Sequence, residues 1–213
     1  MLKYMDLNVE FFNKKFNVSR ETIEKLNKYK NFLLTSNKSL NLIGKTTENQ
    51  IFKRHFTDSA QIYDLIEDKS EIIDLGSGAG FPGILLRILM DDKKITGNVT
   101  LIDKSSKKCK FLKDLSNKLS LTLKIVNLKI ENYKFDEIST VVSRAFKKTV
   151  DTMDILLKNN DKIRNIILIK GRTYQQELDD AKKKYTFDVE KFRSITSDES
   201  YILKINNIKC NTT

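Results

Sequence analysis

Residues 71–90 read EIIDLGSGAGFPGILLRILM, and this stretch decides the fold. EIIDL is a short apolar run with the length and composition of a buried strand. It stops at Asp74 and a loop that carries Gly76, Gly78, Gly80 and Gly83, four of the chain's seven glycines, together with its only proline. PGILLRILM then reads as a helix, with Pro82 suited to a first helical position, where its missing N–H costs nothing. A tight turn needs one or two glycines. Four imply that something comes close to the main chain, because glycine permits positive φ and carries no Cβ to stand in the way. In open α/β sheets a ligand sits outside the carboxyl ends of the strands, and a strand–loop–helix junction is where it is expected. The helix start adds free N–H groups for a carboxylate or phosphate.

Outward from this loop, strands and helices alternate. NVTLID (98–103) is a second strand ending in Asp103, and SSKKCKFLKDLSNKL (105–119) is a helix with Ser105 or Ser106 as cap. LTLKIVN (121–127), STVVSRA (139–145) and NIILIKG (165–171) are three further strands, with helices at 150–160 and 174–185. The stretch 189–208, VEKFRSITSDESYILKINNI, reads as two strands joined by a short polar turn, which demands an antiparallel pair. Alternation implies right-handed crossovers and a parallel sheet covered on both faces.

The start of the chain is helical in character. SRETIEKLNKYKNFLL (19–34) has helical apolar spacing, NKSLNLIGK (37–45) reads as a break, and TTENQIFKRHF (46–56) opens with Thr47 and Gln50 in capping-box spacing. The expected organisation is a helical segment, 1–66, packed on an α/β domain, 67–213, with no linker between them.

Asp103 lies 20 residues past Gly83, where an acidic side chain grips a ribose diol. Loop and aspartate alone do not separate a nicotinamide dinucleotide from S-adenosylmethionine. A dinucleotide fold commonly doubles its mononucleotide-binding half, whereas here five parallel strands are followed by a hairpin. That is the layout of class I (Rossmann-like) methyltransferases: a mostly parallel seven-stranded α/β sheet with one antiparallel strand, here with an N-terminal helical extension. No G-x-x-x-x-G-K-[ST] is present, which removes P-loop NTPase chemistry.

NLIGKTTENQIFKRHFTDS (41–59), IIDLGSGAGFPGILLRI (72–88), VTLIDKSSKKCKFL (99–112), VVSRAF (141–146) and IILIKG (166–171) occur in that order. Together they resemble the RsmG/GidB family of bacterial 16S rRNA methyltransferases that act on guanine N7. The resemblance implies that Gly76, Ser77, Gly78, Gly80 and Phe81 contact S-adenosylmethionine, that Asp103 takes the ribose, and that Ile130 and Glu131 flank the adenine. It places Arg144 at the methyl-transfer site in a positioning role. The chain has Lys129 and Asn132 around Ile130 and Glu131, where the family often has Arg and Glu. The implied product is S-adenosylhomocysteine and the implied partner is 16S rRNA or the small ribosomal subunit. The rival readings are an NAD(P)-dependent oxidoreductase and a non-catalytic RNA-binding protein of the same fold.

Guanine N7 has an in-plane lone pair and no proton to lose, so its methylation needs no general base and depends on alignment. With one proline, already in the loop, the chain cannot hold the Asn/Asp-Pro-Pro-Tyr signature of exocyclic amino methyltransferases, nor the Pro-Cys nucleophile of cytosine-C5 enzymes. Candidate RNA-facing residues are Arg54, His55, Phe146, Lys147 and Lys148. Phe81 or Phe146 either stacks on the base or packs in the core; Arg54, His55 and Asp58 are either a lid over the cofactor or substrate site or a polar cluster that fixes the N-terminal segment. Two lysine groups, around 104–113 and at 182–184, are either phosphate tracks or solvated helix faces.

The 39 Lys+Arg against 28 Asp+Glu leave a net charge of +11, which suits a polyanionic partner. A chain rich in Asn and Ile also fits AT-rich coding, which raises lysine regardless of function. No run approaches the ~18 apolar residues of a membrane span, and the start lacks the apolar core of a signal peptide. Cys109 and Cys210 are expected as reduced thiols in a cytoplasmic, monomeric protein. One histidine and two cysteines cannot build a common structural zinc site, so no metal is expected.

Overall fold

The computed structural model describes residues 7–211 apart from residue 136. Its centre is a seven-stranded sheet in the order β3-β2-β1-β4-β5-β7-β6. The strands are β1 (Glu71–Leu75), β2 (Asn98–Asp103), β3 (Lys124–Asn127), β4 (Ser139–Arg144), β5 (Ile163–Lys170), β6 (Tyr185–Arg193) and β7 (Tyr201–Cys210). The first five pair in parallel, while β7 runs antiparallel to both β5 and β6. This is the mostly parallel class I sheet with its one reversed strand.

The strands are apolar along their length because both faces are covered. Alternate residues therefore enter different cores. Ile72, Leu101, Val142 and Ile167 face one cluster, and Ile73, Ile102, Val141 and Ile166 the other. The first face is covered by α2 (Arg20–Leu40), α4 (Gly83–Asp92) and α5 (Ser106–Lys118); the second by α6 (Thr149–Leu156) and α7 (Tyr174–Lys182). α1 (Leu7–Phe16) adds Val9 and Phe12 to the first cluster.

The N-terminal helices share this core. Ser19 caps α2 by accepting from the Thr22 N–H, and Thr22, Leu26, Tyr29, Leu33 and Asn37 bury one helical face. The break expected at 37–45 comes at its middle: α2 runs through Leu40 and ends at Asn41 in the left-handed region, φ 47°. Asn37 explains the extension, since its amide donates to the Ile43 carbonyl and accepts from the Ile43 N–H, pinning the chain reversal.

The capping box expected at Thr47 and Gln50 does not form. Residues Lys45–Gln50 make a 3₁₀ turn, Phe52–Thr57 a π-helical turn, and α3 (Asp58–Ala60) finishes the segment. The Thr47 hydroxyl donates to the Gly44 carbonyl, three residues back, instead of receiving an N–H three residues ahead. Pro82 falls one position before α4 rather than at its first residue. β3 is three residues shorter than its apolar run, and β6 begins four residues earlier than the sequence pattern indicates, at Tyr185.

Strand order reverses between β1 and β4, so the loops after these strands diverge and leave a crevice at their carboxyl ends. Leu75 leads into the glycine loop there, and Asp103 and Arg144 end β2 and β4 beside it.

Candidate cofactor and substrate clefts

The glycine loop is folded back on the sheet. The N–H groups of Gly76 and Ser77 both donate to the Ile102 carbonyl, at 2.8 and 3.1 Å, so β2 fixes the start of the loop. Asp74, fully buried, accepts the Gly83 N–H at 3.0 Å and ties the end of the loop to β1. Its other oxygen, Oδ1, has no hydrogen bond among the described residues. Burial pushes the Asp74 carboxyl up to about 7, against the pull of Gly83 and Ser77.

The four glycines have different reasons. A Cβ on Gly76 would meet the Phe146 ring at 2.5 Å, and one on Gly80 would meet Ile84 at 2.6 Å and the Tyr29 hydroxyl at 2.8 Å. A Cβ on Gly83 would strike Leu101 at 2.2 Å. These three admit protein atoms. Only at Gly78, φ +56°, would the Cβ stand in nearly open space, 3.7 Å from the Gly76 carbonyl.

A cleft of about 520 Å³ opens beside the loop, and Gly76, Asp103, Ile130, Glu131 and Phe146 all line it. Asp103 is aimed by two main-chain donors: Gly78 N–H to Oδ2 at 3.0 Å and Ser105 N–H to Oδ1 at 2.8 Å. Ser105 is also the cap of α5, accepting from the Lys108 N–H. Glu131 lies in a short 3₁₀ turn after β3 and pairs with Lys147 at 3.4 Å across the cleft. Its own N–H and Lys147 hold its carboxyl below the usual range.

Ser77, Gly78, Gly80 and Phe81 do not line this cleft. The Ser77 hydroxyl donates to the Asp74 carbonyl. Phe81 is buried, stacked on Tyr29 (5.5 Å between centroids) and on His55 (5.2 Å), with the Arg144 guanidinium 5.3 Å from its centre. Its ring is therefore core packing. Phe146 is half-buried at the cleft wall.

Arg144 does not line that cleft either; it is the hub of a polar cluster at the end of β4 that faces a second cleft. Its Nη2 donates to His55 Nδ1 at 2.7 Å, its Nη1 to the Ser59 hydroxyl at 3.3 Å, and its Nε faces Asp58 at 3.5 Å. Guanidinium is a donor only, so His55 Nδ1 accepts, and the ring proton is on Nε2, which donates to the Thr47 hydroxyl at 2.8 Å. Burial first, then the charges of Arg144 and Arg54, hold the His55 pKa down to about 3, so the ring is neutral. Asp58 is held in turn by the Thr196 hydroxyl (2.6 Å) and Gln61 (3.0 Å).

His55, Asp58 and Ser59 thus form one gripping face, three and four residues apart, and the sequence block R-H-x-x-D-S is a socket for Arg144. Of the two readings of this block, the polar cluster describes these three residues; His55 lies beneath the surface. Arg54 takes no part in the socket but lines the same second cleft as Asp58 and Arg144, together with Lys147 and Lys148. Sequence reasoning missed buried Lys170 and half-buried Glu177, partners at 2.8 Å in that second cleft. Their signal is faint: a lysine ending a buried strand, with a glutamate seven residues on.

The lysine groups separate. Lys104 and Lys108 line the first cleft, whereas Lys107, Lys110 and Lys113 are exposed on α5. Lys183 and Lys184 pair with Asp180 and Asp154 on a solvated face. Among the described residues no helix is long and apolar enough to cross a membrane.

Comparison with known proteins bears on family and fold. Residues 22–203 match the family described as rRNA small subunit methyltransferase G, GidB. The Ribosomal RNA small subunit methyltransferase G of Pelagibacter ubique (strain HTCC1062) is 36% identical over 197 residues, covering 91% of this chain and 92% of the relative. The protein of that name from Rickettsia akari (strain Hartford) is 37% identical over 192 residues, covering 90% and 97%. A SAM dependent methyltransferase from Aquifex aeolicus superposes with a TM-score of 0.56 at 13% identity, over 76% of this chain and 94% of that one. M. capricolum TrmK, solved with S-adenosyl-homocysteine, gives 0.51 at 18% identity, over 68% and 66%. The two structures share the fold; the match along nearly the whole sequence goes further, and the chain belongs to the rRNA small subunit methyltransferase G (GidB) family.

Proposed function

We propose that this protein transfers a methyl group from S-adenosylmethionine to N7 of a guanine in 16S rRNA, acting as a cytoplasmic monomer. The observation that carries the reading is the gathering of Gly76, Asp103, Ile130 and Glu131 around one cleft at the switch point of a class I sheet. The chain's family membership supplies the RNA target.

The residues fit the cofactor. A cleft of about 520 Å³ suits a ligand of nucleoside size. Asp103 is fixed by two N–H groups, each oxygen keeping a lone pair for a ribose hydroxyl. The bare backbone at Gly78 admits a ligand where a side chain would block it. Ile130 offers an apolar surface and Glu131 an acceptor for the adenine end.

S-adenosylmethionine supplies an electrophilic methyl, whose bond to sulfur breaks, leaving its electron pair on sulfur, as the carbon–N7 bond forms. N7 carries no proton, so no residue need act as a base. The chain's task is placement and electrostatics. Arg144 fits a positioning role because its socket holds the guanidinium at one orientation against Phe81. A neutral His55 serves this better than a charged one, since an imidazolium would repel the cation it supports.

Calorimetric titration tests the cofactor half. S-adenosylhomocysteine is expected to bind and NADH to give no heat; the reverse result would sink the reading in favour of an oxidoreductase. Nucleoside analysis of methylated small ribosomal subunits tests the target half, with 7-methylguanosine as the expected product.

A further inference from the structure

Beside the cofactor cleft lies a second cleft of about 420 Å³, and the two share a wall: Ala145, Phe146 and Lys147 line both. We infer that this second cleft receives the target nucleotide, unstacked from its neighbours, and that the 145–147 segment sets how its base meets the methyl donor. The inference rests on the function proposed above and extends it to the substrate.

The charge of the second cleft favours a nucleotide. Arg54, Arg144, Lys147, Lys148 and Lys170 line it, against two carboxylates, Asp58 and Glu177. Both carboxylates are already engaged, Asp58 with Arg144 and Glu177 with Lys170. The surplus cations at the rim, Arg54 and Lys148, are suited to phosphate. Inside, the hydroxyls of Ser197 and Ser200 can each donate or accept, as the edge of a base requires.

The shared wall is built to hold still. On one side Arg144 is locked in the His55–Asp58–Ser59 socket. Ala145 follows with φ +50°, a left-handed conformation that costs a residue with a Cβ. On the other side Lys170 donates to the Lys147 carbonyl at 2.5 Å and to Glu177 Oε2 at 2.8 Å. The same Glu177 oxygen accepts the N–H of Thr149 at 2.9 Å and its hydroxyl at 3.1 Å. Burial alone would raise the Glu177 pKa, yet Lys170 and Thr149 outweigh it and keep the carboxylate charged. Three residues between two clefts are thus clamped at both ends. Phe146, whose ring covers Gly76, is the partition itself. A fixed partition between donor and acceptor fits a reaction that depends on alignment.

Gly171 provides a clean test. It lines the second cleft, an added Cβ would meet no atom within 4 Å, and its φ is outside the left-handed region. A side chain there enters open space without strain. Wild type, Gly171→Phe and Glu177→Gln are compared in three measurements: thermal melting, S-adenosylhomocysteine affinity by calorimetry, and transfer of labelled methyl to small ribosomal subunits. Gly171→Phe is expected to melt like wild type, bind S-adenosylhomocysteine within about twofold, and lose more than about tenfold in kcat/KM for the subunit. Glu177→Gln is expected to keep cofactor affinity while kcat falls more than KM rises, as a loosened wall requires. Methylation by Gly171→Phe at the wild-type rate would overturn the inference. So would loss of S-adenosylhomocysteine binding by that variant, because the two clefts would then be one. The nucleoside labelled by wild type reports separately on the proposed chemistry: label outside 7-methylguanosine, still blocked by Gly171→Phe, would remove the guanine-N7 reading and leave the second cleft as the target-base site.

Discussion

Arg144 donates to Nδ1 of His55 at 2.7 Å, with the imidazole neutral and its other nitrogen donating to Thr47. The bond joins the end of β4 to a π-helical turn 89 residues earlier in the chain. It makes the tautomer of one histidine a condition for the orientation of the arginine at the proposed methyl-transfer site. Asp58 and Ser59 complete the hold, so the N-terminal segment supplies the residues that fix Arg144.

His55 and Asp74 impose opposite pH dependences on stability. An unfolded histidine takes up a proton below about 6.5, whereas buried His55 stays neutral down to about 3. The unfolded state binds more protons in that window, so this contribution weakens as pH falls, by about 2 kcal/mol at pH 5. Asp74 keeps its proton up to about 7, while an unfolded carboxyl releases it near 4, so its contribution strengthens by about 2 kcal/mol from pH 7 to pH 5. Urea unfolding at the two pH values separates them. Relative to wild type, His55→Gln gains stability on acidification and Asp74→Asn loses it; parallel curves for all three proteins would contradict both assignments.

Tyr29 couples helix α2 to the glycine loop. Its hydroxyl, buried, donates to the Ala79 carbonyl at 2.5 Å and lies over Gly80. Tyr29→Phe leaves that carbonyl unpaired, with an expected cost of about 1–3 kcal/mol. Because the loop loses an anchor, S-adenosylhomocysteine affinity should fall as well. A variant destabilised in denaturant but unchanged in affinity would show that the loop keeps its shape without α2.

Gly78 and Gly80 should fail in different ways. Gly80→Ala forces a Cβ against Ile84 and the Tyr29 hydroxyl at φ +97°, so the expected loss is in stability, about 2 kcal/mol or more. Gly78→Val meets open space within the protein, at φ +56°, and is expected to lose about 1–2 kcal/mol of stability while abolishing S-adenosylhomocysteine binding. Melting curves and calorimetry on the pair distinguish these outcomes. Normal binding by Gly78→Val would mean that the ligand does not lie over this part of the loop.

Asp103→Asn tests the ribose contact. An amide nitrogen would face either the Gly78 or the Ser105 N–H, donor against donor. S-adenosylhomocysteine affinity is expected to drop by about tenfold or more. Adenine, which has no ribose, should bind both proteins equally; an equal loss for adenine would assign the effect to loop collapse instead.

Much of this was legible in the sequence, and the reasons for the rest are physical. Alternating apolar runs, the glycine loop and the closing hairpin lead to the sheet, because these patterns are local. Asp103 could be placed at the cleft because strand ends are local too, whereas only the family resemblance places Ile130 and Glu131 there. Phe81 shows the limit. Its position in the loop points to the cofactor, but its ring turns inward onto Tyr29 and His55, contacts that depend on a helix packed from elsewhere. Glycine content likewise points to ligand space, although Gly76, Gly80 and Gly83 make room for Phe146, Tyr29 and Leu101. The spacing of Thr47 and Gln50 satisfies a capping rule, yet the Thr47 hydroxyl is drawn to the Gly44 carbonyl and His55. The Lys170–Glu177 clamp leaves almost no mark, since each residue gains its role only when β5 and α7 meet the segment after β4.

The central claim is methyl transfer from S-adenosylmethionine to guanine N7. The most direct measurement incubates the protein with methyl-labelled S-adenosylmethionine and small ribosomal subunits, digests the RNA and resolves the nucleosides by mass spectrometry. The account predicts label in 7-methylguanosine and a proportional loss of signal in Gly78→Val. Label confined to any other nucleoside, or none transferred by a protein that binds S-adenosylhomocysteine, would contradict it.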